Sequence, residues 1–386
     1  MMQPRITCKL FGALRVVLGI KDAVPLIHAP LGCGYHLRYI FGMRGNVPIR
    51  IYVTQMDQND VIFGGEKKLL DSLESLDKKL NPDLIVVFSS CASSIIGEDL
   101  EAISSQADVG CEILTVSSGG FEGTQVDGYR EALERIITKL ITDSDEKIDA
   151  FNIIGEFRGG EDLKYLKNIF NKLDLKLNSV LTASSSLKEI KNASKASLNI
   201  PGCESAGIDA CKLMEKRFGI EYLRLPMPIG VEQTVEFFEG IANAFDKRID
   251  LEREKRSTLE ELEKYRKKLA GKKVFIASGP TRALAYTRFL SELHMDPVLV
   301  SVDHSTETVE KELKKLNVDM LKEPDFEEFI NIINELDFDI MIGGMGEIGA
   351  STFIKKPLLD VMHGKKLTYG FEGTLNIARE MAEVLK

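Results

Sequence analysis

Residues 83–100 read DLIVVFSSCASSIIGEDL, and this stretch decides the fold class. Five consecutive apolar residues, 84–88, are too few for a helix core and rich in β-branched types, so they predict a strand buried on both faces. Small polar residues then end the strand and carry Cys91 before a new helical pattern starts. Working outward, the same cycle recurs. Strands are predicted at 24–28, 83–90, 112–116, 151–155, 273–278, 297–302 and 339–343. Helices are predicted at 65–80, 126–142, 161–173, 204–218, 231–269, 306–315, 325–336 and 373–385. Strands alternating with amphipathic helices give an α/β fold of mostly parallel sheets flanked by helices.

The chain has 386 residues, more than one small core accommodates. Two joints stand out, the charged stretch TDSDEK (142–147) and the long charged helix ending before Gly271. They divide the chain into three Rossmann-like sub-domains, 1–146, 147–270 and 271–386. Charged residues make up 28% and the net charge is -9, which argues against a broad nucleic-acid surface because phosphates demand a basic one. No apolar run reaches the roughly 18 residues that a membrane span needs. The start has no cleavage-site pattern, so the expected location is the cytoplasm.

Glycine-rich turns follow several strands: APLGCG (29–34), SSGGFEG (117–123), ASGP (277–280) and GGMGEIGA (343–350). Ligands in open α/β sheets sit beyond the carboxyl ends of strands, so these turns are the places to look. The last one has the wrong glycine spacing for a dinucleotide site. No GxxxxGK[ST] occurs, so any ATP hydrolysis belongs to a partner.

Six cysteines are present: Cys8, Cys33, Cys91, Cys111, Cys203 and Cys211. None forms a CxxC pair, which disfavours a zinc ribbon or a thioredoxin-like site. Cys8, Cys33 and Cys91 lie at expected strand ends or helix starts, where thiolates from separate loops can converge on an iron–sulfur core. The bland alternative is that each merely fills space at a strand end. Spacing alone leaves both readings open.

The stretch CKLFGALRVVLGIKDAVPLIHAPLGCGYHLRYIFGMRGN (8–46) resembles the opening of the nitrogenase component 1 superfamily. The likeness continues through TQMDQNDVIFGGEKKLLDSL (54–73), residues 83–100, SSGGFEGTQVDGYREAL (117–133), residues 224–242, residues 271–300 and residues 355–381. The resemblance implies that Cys8, Cys33 and Cys91 hold an iron–sulfur cluster at a subunit interface, the remaining ligands coming from a second copy or a paralogous component 1 subunit. It further implies that Cys203 and His363 hold a possible second metal cluster, although Cys203 could be a core cysteine and His363 a loop histidine. The implied electron donor is an ATPase like the nitrogenase iron protein.

This chain is shorter than a catalytic nitrogenase subunit, which puts dinitrogen reduction itself in doubt. The expected function is the redox subunit of a nitrogenase-like two-component reductase. The alternatives are a scaffold for nitrogenase cofactor maturation and a reductive cyclase component acting on a nickel tetrapyrrole in coenzyme F430 biosynthesis. His28, beside Cys33, reads as a satisfied structural histidine with a possible role near the cluster. Cys111 and Cys211 read as core residues.

Overall fold

A computed structural model of the chain describes residues 7–43, 49–344, 348–362 and 366–385. Three sheets, all parallel, carry the architecture, and helices flank them. Two compact units contain these sheets. One comprises Thr7–Arg158 and Leu177–Leu223; the other comprises Gly159–Lys176 and the chain from Arg224 onward.

The first unit opens with helix α1 (Lys9–Val17), then β1 (Ala23–His28), α2 (Leu31–Met43), β2 (Tyr52–Val53), α3 (Gln58–Phe63), α4 (Glu66–Leu80) and β3 (Leu84–Ser89). Two short helices, α5 (Cys91–Ile95) and α6 (Leu100–Ser104), lead to β4 (Glu112–Val116) and α7 (Gln125–Lys139). The sheet order is β2-β1-β3-β4. Every side chain of β3 is buried, as its unbroken apolar run predicts. Pro25 lacks an N–H yet lies inside β1; β2 pairs only with Leu26 and Ile27, so no ladder bond is lost there.

The same unit holds β5 (Ile148–Glu156), with β6 (Leu177–Thr182), β7 (Ala196–Pro201) and β8 (Glu221–Tyr222) in the order β6-β5-β7-β8. Helix α8 (Glu161–Lys172) leaves this sheet for the second unit, while α9 (Leu187–Lys191) and α10 (Glu204–Phe218) stay with it. One apolar core joins both sheets of the unit, from Leu14 and Phe41 to Ile154, Leu181 and Met214.

The second unit continues with α11 (Val231–Ala244) and α12 (Glu252–Leu269). Its sheet contains β9 (Lys273–Ala277), β10 (Asp296–Val302), β11 (Met320–Lys322), β12 (Ile340–Gly343) and β13 (Leu358–Asp360), in the order β11-β10-β9-β12-β13. The flanking helices are α13 (Pro280–Glu292), α14 (Glu307–Lys315), α15 (Phe326–Glu335), α16 (Ile348–Ile354) and α17 (Gly370–Val384). Phe275, Phe329, Phe338 and Met341 form the core beneath it. Among the described residues, no helix is long and apolar enough to cross a membrane.

All seven predicted strands are present, and the differences lie elsewhere. The single helix expected over 231–269 is two helices, interrupted around Asp246, whose φ of 53° is left-handed and breaks the α-helical hydrogen-bond ladder. APLGCG is not a free turn, since α2 starts at Leu31. The strands that sequence reading did not find, such as β2, β8 and β13, are two or three residues long or, like β6 and β7, interrupted by polar residues.

Candidate metal centre

Parallel pairing sets the site. β1 and β3 are neighbours in register, with His28 opposite Ser89, and β3 pairs β4 with Phe88 opposite Val116. The segments leaving these three strands therefore emerge side by side at one carboxyl edge. Cys33 lies five residues past β1, in the first turn of α2; Cys91 lies two residues past β3 and begins α5; Gly120 lies four residues past β4.

Cys8 reaches the same edge from a different direction. It precedes α1 and forms an isolated antiparallel bridge with Thr124. Lys9 N donates to Gly123 O (3.1 Å) and Gln125 N donates to Thr7 O (2.9 Å), fixing Cys8 from both sides. Helix α1 then crosses α7 at very short range: a methyl on Gly12 would stand 1.9 Å from Gln125 O, and one on Gly128 would stand 2.0 Å from Lys9 O. Only glycine permits that approach.

The Cys8 and Cys91 thiols meet at the backbone of Gly120. A Cβ at this position would lie 3.1 Å from Cys91 Sγ, 3.2 Å from Cys8 Cβ and 3.7 Å from Cys8 Sγ. Gly120 N donates to Cys91 Sγ at 3.2 Å, tying that sulfur to the turn past β4. Burial pushes the Cys33 thiol above its ordinary value, and the nearby Cys91 and Cys8 push it further. Cys8 and Cys91 are exposed, and Cys33 is half-buried.

Three sulfur donors from three separate loops fit an iron–sulfur core, which takes thiolates and needs them spread around its several-ångström body. Among the described residues, no three His, Cys, Asp or Glu side chains are grouped to hold a single metal ion. Exposed apolar side chains lie on the same segments: Leu31 and Tyr35 share α2 with Cys33, Ile95 shares α5 with Cys91, Phe121 follows Gly120, and Phe63, 83% exposed, ends α3. Contiguous large apolar groups left in water are a usual mark of an interaction surface.

Charges around the edge are paired inside the unit. The Lys9 ammonium, largely buried, lies 3.2 Å from Glu122 and 3.6 Å from Glu131. Burial alone raises the Glu122 carboxyl, but hydrogen bonds from Ser94, Lys9 and Ser117 outweigh it and leave the group below its ordinary value. A cleft of about 400 Å³ beside α5 is lined by Glu98, Asp99, Glu101, Glu122 and Glu131 against Arg135. Arg135 and Lys139 hold Glu101 down to about 2. His28 is fully buried at the end of β1, 2.8 Å from Glu98, and burial lowers its pKa against the pull of that carboxylate.

The other expected site residues are placed differently. Cys203 caps α10 beyond β7, on the second sheet of the first unit, and is half-buried. His363 lies outside the described residues. Its flanks in the second unit are firmly held: buried Arg282 donates to Val361 O (3.3 Å), Thr368 Oγ1 (3.3 Å) and Tyr369 OH (3.0 Å). Asp162 accepts from Thr368 N (2.6 Å), Thr368 Oγ1 (2.8 Å) and Tyr369 N (3.0 Å). Cys211 is buried in the core, whereas Cys111 is half-buried, and burial with an Asp77 hydrogen bond pushes its thiol up to about 11.

Sequence reading did not single out Gly120, Lys9, Glu98 or the glycine pair 12 and 128. The spacing of SSGGFEG past β4 was the available signal for Gly120; the others depend on which helices touch.

A family profile described as nitrogenase component 1 type oxidoreductase matches residues 8–386. The nitrogenase iron-molybdenum cofactor biosynthesis protein NifE of Clostridium pasteurianum is 31% identical over 97% of this chain and 86% of its own length. The nitrogenase molybdenum-iron protein alpha chain of Methanosarcina barkeri is 31% identical over 75% of this chain and 58% of its own. The solved structure of nitrogenase Cp1 at pH 6.5 superposes with a TM-score of 0.90 at 21% identity, covering 100% of this chain and 93% of that one. At that identity the superposition establishes the shared fold.

Proposed function

This chain belongs to the nitrogenase component 1 type oxidoreductase family, and on that footing we propose that it is a cluster-bearing subunit serving as a scaffold for maturation of an iron–molybdenum cofactor. The observation that carries the reading is the meeting of Cys8 and Cys91 at Gly120, with Cys33 close enough for both to act on its thiol. These three cysteines would hold the iron–sulfur cluster, which supplies reversible one-electron transfer when bound.

The chain's own residues do the rest. The Gly120 N–H holds Cys91 Sγ in place, the bridge to Thr124 fixes Cys8, and Lys9 offsets the negative charge of Glu122 and Glu131. Three thiols on an exposed, apolar-rimmed edge call for a second component 1-type subunit, another copy or a paralogue, to complete the ligand set and exclude water. The family resemblance also offers Cys203 and His363 as candidate ligands for a further metal group. Electrons would arrive from an ATPase like the nitrogenase iron protein, and no GxxxxGK[ST] motif occurs in this sequence.

The sequence by itself puts the two-component reductase first. The scaffold moves ahead of it because the biosynthesis relative aligns over nearly the whole chain at an identity the alpha chain reaches over three quarters of it. The alpha-chain likeness keeps the reductase as the second reading.

Anaerobic purification with iron and sulfide counting, followed by electron paramagnetic resonance, tests the ligand set. Iron retained in both Cys33→Ala and Cys91→Ala would sink it. Loaded protein is then mixed with a cofactor-free acceptor: metal that moves to the acceptor supports the scaffold, and metal that stays while a substrate is reduced supports the reductase.

A further inference from the structure

Beside the thiols lies a buried pair that the ligand set does not use. His28 Nε2 stands 2.8 Å from Glu98 Oε2, with side chains 0% and 6% exposed. The contact is close but off the line of a well-aligned hydrogen bond, so its attraction is chiefly electrostatic. On the far side of the ring, Nδ1 lies 3.0 Å from Thr54 Oγ1, which also accepts the Ala29 N–H at 3.2 Å. The Thr54 hydroxyl, with one proton and two lone pairs, can donate to Nδ1 or accept from it according to the ring tautomer.

Glu98 is tied to a third segment. Its Oε1 accepts the Gly65 N–H at 2.5 Å, and its own N–H donates to Ser93 O at 3.2 Å. Ser90 Oγ donates to the His28 carbonyl at 2.8 Å. Gly65 fits against the imidazole with no room to spare: a Cβ there would stand 3.0 Å from the His28 ring and 3.1 Å from Met56 Cε. Three chain segments therefore share one buried junction. They are the end of β1 leading to Cys33, the α5 turn that begins with Cys91, and the Gly64–Gly65 turn that carries exposed Ile62 and Phe63 at the tip of α3.

We infer that His28 and Glu98 are positioning residues that lock the exposed tip of α3 to the two turns bearing Cys33 and Cys91, making that surface and those sulfurs one rigid piece. The role deepens the proposed function, resting on Cys33 and Cys91 being ligands, but the junction itself is a property of the metal-free chain. A buried carboxylate with two partners on separate segments is costly to remove, because each partner is left unsatisfied.

Hydrogen exchange on the metal-free full-length chain reads the junction directly. In Glu98→Ala, amides of 64–68 and 91–98 should both exchange at least about tenfold faster, the equivalent of losing one charge-assisted buried bond. Amides of α7 should keep their rates. His28→Asn should loosen the same two segments, and the double variant should add little, as expected of residues acting through each other. Glu98→Gln keeps an acceptor for Gly65 without the charge and provides the measurement should Glu98→Ala not fold. In iron-loaded protein, His28→Asn and Glu98→Gln should retain iron yet shift the resonance spectrum. Loosening confined to one segment, or effects of the two variants that simply add, would overturn the inference. Wild-type protein that takes up no iron would instead remove the ligand assignment, and the exchange data would still judge the junction.

Discussion

Replacing Gly128 with alanine tests the crossing that delivers Cys8. The new methyl would stand 2.0 Å from Lys9 O, 2.6 Å from Ala13 N and 3.0 Å from Lys9 C, all backbone atoms of α1 that no rotamer change can move aside. Carbon and oxygen come into contact at about 3.3 Å, so α1 must retreat by about 1.3 Å. Overpacking of this kind costs about 3 kcal/mol at the upper end of its usual range. Alanine returns about 1 kcal/mol of helix propensity, so the net destabilisation is about 2 kcal/mol. With a urea slope of about 3 kcal/mol/M, the midpoint should fall by about 0.7 M. Gly42→Ala is the control, because nothing lies within 4 Å of a Cβ there, and it should be neutral or slightly stabilising. The displaced α1 carries Cys8 with it, so iron uptake in Gly128→Ala should fall too. A variant as stable as Gly42→Ala, with full iron content, would refute the argument.

Three further outcomes are expected. Gly120→Val should block the space between Cys8 and Cys91, slowing thiol labelling of both and lowering iron uptake while the urea midpoint barely moves; unchanged labelling would count against the cradle. Burial raises the Glu292 carboxyl above its ordinary 4.5, although the Val231 and Glu232 N–H groups pull the other way. The folded chain therefore holds that proton more tightly than the unfolded one, and stability falls as pH rises from 4.5 through the folded value. Urea midpoints across pH 4 to 8 should show this fall in wild type and a flatter profile in Glu292→Gln; equal slopes would contradict it. Gly370 has φ 74° and a Cβ there would lie 2.1 Å from the Tyr165 ring, so Gly370→Ala should lose about 1–3 kcal/mol, read as a lower melting temperature.

Much of the fold was legible because burial on both faces writes itself into sequence. The apolar runs of β1, β3, β9 and β12 sit in central strands covered by helices, and their composition has no other reading. Strands β2, β8 and β13 stand at sheet edges and are two or three residues long, too short for any period to register. The break between α11 and α12 escaped notice because Asp246 and its charged neighbours suit an exposed helix as well as a turn; the left-handed backbone appears only in three dimensions.

The sequence by itself determined the α/β class, the parallel sheets, the superfamily and the three cysteines to examine, since strand composition, turn residues and motif order are all local properties of the chain. Only the tertiary structure decided that Cys8 and Cys91 close on the backbone of Gly120, that Lys9 answers Glu122 and Glu131, and that Glu98 ties His28 to Gly65. Those facts depend on strand register and on two helices crossing at glycine. Residues more than a hundred positions apart become neighbours there, and no local pattern can encode the distance between them.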